Sequence, residues 1–437
     1  MNTVKSKELY ERAISSLPGG VNSNGRARSP YPIYFKAAEG PYLIDVDGNK
    51  YIDLIMGNGS IIFGHNYKPF VDEMNRRLSL NGGMTTGVET ELSVEVAEKF
   101  LKIVGHERVR FTNSGTEAII HCMHIARAFT GKNDFAVMEG AYNGWNDHIY
   151  VNSFNSLQDI GPEEKPNSVP GMGGMDTKAV ESTLVLPFNN IEASEKLIRE
   201  NAHRLAAIIL EPVMIDAGYV EAEKSYIKFL RKICDELGIV LLFDELLTGF
   251  RITPSGCQSY FDTKCDLSIF GKALGNGHIV AAVAGKKAVM DTCAPGGKTS
   301  FVGTFNGHQY SMCAVSASLD LLKDGSVNKI LEDRTRYMAS RFKESAKKYG
   351  VAAVLNGKGG HFHWYFTDKD LVSYRDVITS NSKEYSIFAE AMQQQNIWMS
   401  GKFMSHHAIS LGHNDEVIEK LVQAMDKSLL AVANSRK

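Results

Sequence analysis

What the sequence lacks narrows its class. No run of about 18 apolar residues occurs, the length a membrane-crossing helix needs. The opening Met1-Asn2-Thr3-Val4-Lys5-Ser6-Lys7 holds no apolar core of signal-peptide length. A cytoplasmic location with no membrane partner is the expectation. Charge of one sign is also missing: 48 Lys and Arg against 50 Asp and Glu leave a net charge of −2. No basic surface for nucleic acid is therefore foreseen. The six cysteines (Cys122, Cys234, Cys257, Cys265, Cys293, Cys313) lie scattered with no Cys-x-x-Cys pair, as reduced thiols in a cytosolic protein do. His121, Cys122 and His124 sit together, but no distant ligand pair completes a tetrahedral set, so no metal is expected. No internal repeat or low-complexity tract appears.

What is present is an ordinary globular composition. At 437 residues, 43% hydrophobic and 22% charged, the chain suits a large domain plus a smaller one. The rest is arranged around Ser268-Ile269-Phe270-Gly271-Lys272-Ala273-Leu274-Gly275-Asn276-Gly277. There an apolar run ends in one lysine among glycines that let backbone lie close to a ligand. A lysine that attacks a carbonyl needs its pKa pulled well below roughly 10, which burial beside a cofactor does. Upstream, residues 240–243 read as a buried strand delivering Asp244. A carboxylate there would hold a pyridinium nitrogen charged and make the ring an electron sink. Plainer readings exist: a solvated strand end for Lys272 and a turn cap for Asp244.

The third component is Arg110-Phe111-Thr112-Asn113-Ser114-Gly115-Thr116-Glu117-Ala118, leading into a helix marked by Ile119, Ile120, Met123, Ala126 and Arg127. Ser114, Gly115 and Thr116 would offer free N–H groups, two hydroxyls and the helix dipole to a dianion. An ordinary N-cap, with Ser114 and Glu117 as a capping box, fits the same residues.

Along the rest of the chain, residues 6–17 read as a helix anchored by Leu9, Ile14 and Leu17 and stopped by Pro18-Gly19-Gly20. Residues 41–53 read as a hairpin with Asp47-Gly48 at its turn. Residues 135–138 and 206–210 read as buried strands, the second ending at Glu211-Pro212 with Asp216 beyond. Polar groups at strand ends suit a parallel sheet that binds ligands at its carboxyl edge. Residues 155–176, rich in Pro and Gly, read as an active-site lid or a mobile loop. Residues 226–237 read as an amphipathic helix, 281–285 as a small-residue strand, 299–306 as a loop, and 311–322 as the helix leaving the large domain. From about residue 324 the pattern is α+β, with residues 362–366 as a strand and a closing helix capped by Asn414.

Nearly end to end, these motifs resemble class III pyridoxal-phosphate aminotransferases, and within them the glutamate-1-semialdehyde 2,1-aminomutase group. The carriers are Leu17-Pro18-Gly19-Gly20-Val21-Asn22-Ser23, residues 45–53, Asn113 through Ala118, Asp244-Glu245 through Arg251, Gly271-Lys272 and Gly303-Thr304. The resemblance implies pyridoxal 5'-phosphate as cofactor and a homodimeric α/β enzyme of fold type I. Its large domain would have a mostly parallel central sheet beside a smaller α+β domain. Residues 1–65 would pack with the small domain, residues 66–323 form the large cofactor-binding domain, and residues 324–437 form the small domain.

The resemblance also implies roles. Lys272 would be the Schiff-base lysine and proton shuttle, Asp244 the partner of the pyridine nitrogen, and Tyr142 the aromatic stacked on the ring. Ser114, Gly115 and Thr116 would contact the phosphate, with Gly303 and Thr304 lent by the other subunit. Asp216 stands near the phenolic oxygen, where asparagine is usual. Arg26 falls where relatives hold a substrate carboxylate, although composition alone reads Arg26 and Arg28 as solvated. Asn58 and Trp145 would face the substrate.

Several positions depart from the aminomutase pattern: Gly57-Asn58 replaces serine and tryptophan, Tyr142-Asn143-Gly144-Trp145 replaces Tyr-His-Gly-His, Gly275-Asn276-Gly277-His278-Ile279 replaces Gly-Gly-Gly-Leu-Pro, and Ser405 aligns with a glutamate. The cofactor site is kept and the substrate walls are rebuilt. The expected activity is therefore a transaminase that moves an amino group from an amine or amino acid to an oxo acceptor through Lys272 in two half-reactions, with intramolecular aminomutase chemistry as the alternative.

Overall fold

Seven strands form the central sheet of the computed structural model, which describes residues 2–436. Their order is Arg108–Thr112, Ala281–Gly285, Leu267–Phe270, Val240–Glu245, Leu205–Leu210, Asp134–Met138 and Leu184–Leu186. Ala281–Gly285 runs against both neighbours, while the remaining strands share one direction. Leu205–Leu210 and Val240–Glu245 are buried at every position. Helices cover both faces of such strands, which is why they read as continuous apolar runs rather than alternations.

The covering helices follow their apolar stripes. Lys224–Leu237 buries Tyr226, Ile227, Leu230, Ile233 and Cys234, one face at helical spacing, and stops at Gly238 with φ 62°, the left-handed cap that glycine accepts most readily. Glu91–Val104 buries Leu92, Val96, Phe100 and Val104 and opens with a reciprocal capping box between Thr90 and Ser93. The closing helix, Asp415–Asn434, is capped as foreseen: Asn414 Oδ1 accepts the Val417 N–H at 3.1 Å.

Three smaller sheets complete the fold. Tyr42–Asp45 and Lys50–Asp53 form the expected hairpin around Asp47-Gly48. Phe35–Glu39 flanks it, and Ile397–Trp398 joins from the far end of the chain, parallel to Lys50–Asp53. Val354–Lys358, His361–Tyr365 and His407–Ala408 form a second small sheet, and Val213–Met214 with Val220–Glu221 a third. The two ends of the chain are thereby woven together: Leu54 N–H donates to the Trp398 carbonyl and Ala408 N–H to the Leu54 carbonyl, each at 2.8 Å.

Two expectations change. The first helix is Val4–Ala13, shorter than residues 6–17. The Ala13 carbonyl accepts from both Ser16 and Leu17 N–H groups, at 3.0 and 2.7 Å, so a turn closes the helix before Pro18 and leaves Ile14 exposed. The Pro- and Gly-rich segment is tied down rather than poised as a lid. Leu157–Ile160 is helical, Ile160 is buried, Asn152 N–H donates to the Val169 carbonyl at 2.7 Å, and Arg375 donates to the Gly161 carbonyl at 2.9 Å. None of residues 155–176 lines either cavity described next.

Candidate active site

The carboxyl ends of five strands that share one direction in the sheet converge on one cavity of about 490 Å³. Arg108–Thr112 leads to Ser114, Gly115 and Thr116, and Asp134–Met138 to Tyr142. Leu205–Leu210 leads to Glu211, Val240–Glu245 carries Asp244, and Leu267–Phe270 leads through Gly271 to Lys272. A parallel sheet collects polar groups at this edge because each strand is followed by a loop on the same side.

The turn before helix Gly115–Thr130 is open to an anion. Ser114 Oγ accepts the Glu117 N–H at 3.2 Å, but the Glu117 carboxylate reaches back to Asn113 N–H at 3.1 Å rather than to Ser114. The capping box is therefore displaced by one residue. Among the described residues no acceptor pairs with the N–H groups of Gly115 and Thr116, which face the cavity at the positive end of the helix. A Cβ at Gly115 would run into the Leu246 side chain, and one at Gly144 would lie 2.8 Å from Thr116 Oγ1. Both glycines keep the cradle open.

Opposite this turn lie two buried carboxyls. Asp244 Oδ2 accepts from Asn143 Nδ2 at 2.9 Å and Oδ1 from Leu246 N–H at 3.1 Å, which fixes its plane. Glu211 Oε1 accepts the Tyr142 N–H at 2.8 Å. Burial raises both above their ordinary values: at Glu211 the charges of Asp244 and Asp216 add to it, and at Asp244 it prevails over the Asn143 and Leu246 hydrogen bonds and the Lys272 charge. Burial acts oppositely on Lys272, lowering it below the ordinary lysine value against the pull of Asp216, Asp244 and Glu211. A lysine that sheds its proton more readily is a better nucleophile.

A second cavity, of about 1070 Å³, lies beside the first. Tyr142 of the first and Tyr150 of the second pack edge to face at 5.5 Å, so the two share a wall. Arg26, Arg28, Asn58, Trp398 and Asp216 are among its lining residues. Asp216 Oδ1 pairs with His406 Nδ1 at 2.6 Å. Burial alone would raise Asp216, and the His406 imidazole and Lys272 ammonium more than offset it, holding the carboxyl below the ordinary aspartate value. Arg251, only 1% exposed, ties the surrounding segments together by donating to the carbonyls of Gly59, Ile61 and Ile409 at 2.9 to 3.2 Å.

Of the residues singled out in the sequence, Lys272, Asp244, Ser114, Gly115, Thr116, Tyr142 and Trp145 line the first cavity, while Asp216, Arg26 and Asn58 line the second. Gly303 and Thr304 are exposed and line neither. His121, set aside as a ligand, stacks on Phe301 at 3.8 Å. Glu211, Asn143, His406 and Arg28 were not singled out as site residues. The first two had a local signal, a strand end before proline and the residue after the expected aromatic. His406 had none, because its partner Asp216 lies 190 positions away.

Known proteins with this pattern are informative at the level of family. The family described as Aminotransferase class-III matches residues 24–429. The chain is 34% identical over 425 residues to a Glutamate-1-semialdehyde 2,1-aminomutase of Methanococcus maripaludis, covering 97% of each protein. An omega-transaminase from Sphaerobacter thermophilus superposes with a TM-score of 0.92 at 29% identity, over 98% of this chain and 97% of that one. A structure described as a transaminase with PLP bound superposes at 0.89 with 28% identity, over 100% of both chains. The lysine, carboxylate and open helix terminus in one cavity, together with these full-length similarities, establish that the chain belongs to the class-III aminotransferases, enzymes dependent on pyridoxal phosphate.

Proposed function

We propose that the protein moves an amino group between two separate molecules, an amine or amino-acid donor and an oxo acceptor. The observation that carries this reading is the meeting of Lys272, Asp244 and an unpaired helix N-terminus in one cavity. Bound pyridoxal phosphate supplies an aldehyde for an amine to capture and a ring that takes up an electron pair. The residues present fit that group. The Gly115 and Thr116 N–H groups suit its dianion, and Tyr142 suits the face of its ring. Asp244 and Glu211 are buried together with Lys272 as the cavity's one amine, so a protonated ring nitrogen beside Asp244 would supply balancing charge.

In this reading Asp244, oriented by Asn143, holds a proton on the ring nitrogen. Lys272 Nζ is the resident nucleophile for the aldehyde. With the cofactor bound, the Lys272 amine would be the base that accepts a proton from the donor's α-carbon and the acid that later returns it. Tyr142 stays protonated, its phenol pushed up to about 12 by burial. Asp216, kept ionised beside His406, is assigned to the rim between cofactor and substrate, with Asn58 and Trp145 on the substrate walls. Trp145 is 62% exposed and Ile279 75% exposed at the mouth of the cavity, and Val302 is 73% exposed beside Gly303 and Thr304. These exposed apolar residues support a homodimer in which the Gly303-Thr304 loop completes the partner's phosphate site. The buried, free cysteines suit the cytoplasm.

The 34% identity to an enzyme named as an aminomutase favours one second reading, amino transfer within a single molecule. The cofactor spectrum separates the two. With an amine donor and no acceptor, a transaminase converts its cofactor once and stops, and turnover resumes when an oxo compound is added. Sustained product formation without any acceptor would instead establish the intramolecular reaction.

A further inference from the structure

The second cavity carries positive charge that nothing in it matches. Arg26, Arg28 and Lys402 line it, and Asp216, its only carboxylate among the described residues, is already engaged by His406 at 2.6 Å. The three cations are not equivalent. Arg26 and Lys402 are exposed, as solvated side chains normally are.

Arg28 is held. Its Nη2 donates to the Met399 carbonyl at 2.8 Å, its guanidinium carbon sits 4.7 Å over the Trp398 ring, and its buried Nε has no acceptor. Among the described residues it has no carboxylate partner. Burial lowers Arg28 below the ordinary arginine value, a sign that its surroundings do not compensate its charge. A guanidinium anchored at one nitrogen and stacked on an indole loses little further freedom when it meets a ligand, and its remaining N–H groups match the two oxygens of a carboxylate.

We infer that Arg28, rather than Arg26, holds the carboxylate of an amino-acid substrate in the second cavity, and that this residue makes the enzyme prefer amino acids to simple amines. The inference rests on the proposed transamination and names its substrate class. Trp398, Tyr150, Phe154 and Phe403 supply apolar walls for the remainder of the substrate, so the preference falls on amino acids with an apolar body. Arg28 acts on substrate alone and touches none of the residues assigned to the cofactor.

The test compares each amino-acid donor with the amine that lacks its carboxylate, using the dimeric, cofactor-loaded enzyme. In Arg28→Gln the ratio of kcat/KM for the amino acid over that for the matched amine is expected to fall about 10- to 100-fold, through KM rather than kcat. Arg28→Lys, which keeps the charge but not the planar fork, should recover part of that loss. Arg26→Gln should move the ratio less than about threefold, since a solvated arginine contributes little.

The proposal is overturned if Arg28→Gln lowers both donors equally, if Arg26→Gln is the variant that changes the ratio, or if the wild type accepts no carboxylated donor. Should Arg28→Gln fail to fold, Arg28→Lys decides by the same ratio: a value equal to wild type contradicts the assignment. The visible cofactor band is recorded for each protein. Its absence from the wild type would sink the transaminase reading, whereas an intact band with an unchanged ratio sinks only this inference.

Discussion

The two cavities are neighbours built on different terms. The cavity around Lys272 is assembled from the ends of strands that share one direction in one sheet, where each polar group follows within a few residues of a buried apolar run. The cavity around Arg28 brings residues 23–58 and 398–405 from the two ends of the chain together with Tyr150, Phe154 and Asp216 from its middle, and the Arg28 to Met399 hydrogen bond spans 371 positions. The first is fixed by backbone, through strand ends, a helix terminus and glycines that leave no room for a side chain. The second is fixed by side chains resting on one another, Arg28 on Trp398 and Asp216 on His406. A backbone-built site tolerates little change, while a side-chain-built site can be refitted to a new substrate by a few substitutions. The difference would explain the pattern expected from the sequence, in which cofactor residues resemble the family's and substrate walls depart from it.

Substitutions can break or sharpen this contrast. The largest effect is expected for Lys272→Ala: the visible band of the loaded protein disappears and transamination falls at least about a thousandfold, measured in single-turnover and steady-state assays. Asp244→Asn should retain cofactor but lose about a hundredfold in kcat, because a neutral amide cannot balance a protonated ring nitrogen. If Asp244→Asn matched wild type in kcat, the backbone-built cavity would not be doing the chemistry assigned to it.

Arg251 joins the two regions, and its replacement measures what holds them together. Arg251→Met leaves the carbonyls of Gly59, Ile61 and Ile409 without that donor, for a loss of about 3 kcal/mol in denaturant unfolding. Burial brings this guanidinium down to about 9. An unfolding free energy unchanged in Arg251→Met would show that the segments pack without the clamp.

The smallest effect concerns Glu245, next to Asp244 but turned into the core, where its Oε2 accepts from Cys257 N–H at 2.7 Å and its Oε1 has no partner. Burial raises this carboxyl from the ordinary 4.5 to about 7. The folded state therefore binds its proton more tightly than the unfolded state does. The stabilisation is full below about 4.5 and is lost as pH rises to about 7. Relative to Glu245→Gln, the wild type should lose about 2 to 3 kcal/mol across that window. A pH-independent difference between the two would contradict the assignment.

The same contrast explains how much was legible in the sequence. The strands at residues 206–210 and 240–243, the helix over 226–237 and the Asp47-Gly48 hairpin were legible because apolar spacing and turn residues are local signals. So were Lys272, Asp244 and the Ser114 turn, each placed by the element that precedes it. The Pro- and Gly-rich segment misled because those residues mark turns whether or not the turns are pinned, and here Arg375 and Val169 pin them. The capping box shifted by one residue because the Glu117 carboxylate accepts from the Asn113 N–H and side-chain amide instead of the Ser114 N–H. Arg28 and His406 were not legible at all, since their partners are distant in the chain and only the folded protein shows which of two nearby arginines is held.

The central claim is that one amine in one cavity bears the cofactor. Borohydride reduction of the loaded enzyme, followed by proteolysis and mass spectrometry, tests it directly. The expected result is a single pyridoxyl-modified peptide carrying the label on Lys272, with none recovered from Lys272→Ala. A label on another lysine, or an unlabelled protein that still transaminates, would contradict the account.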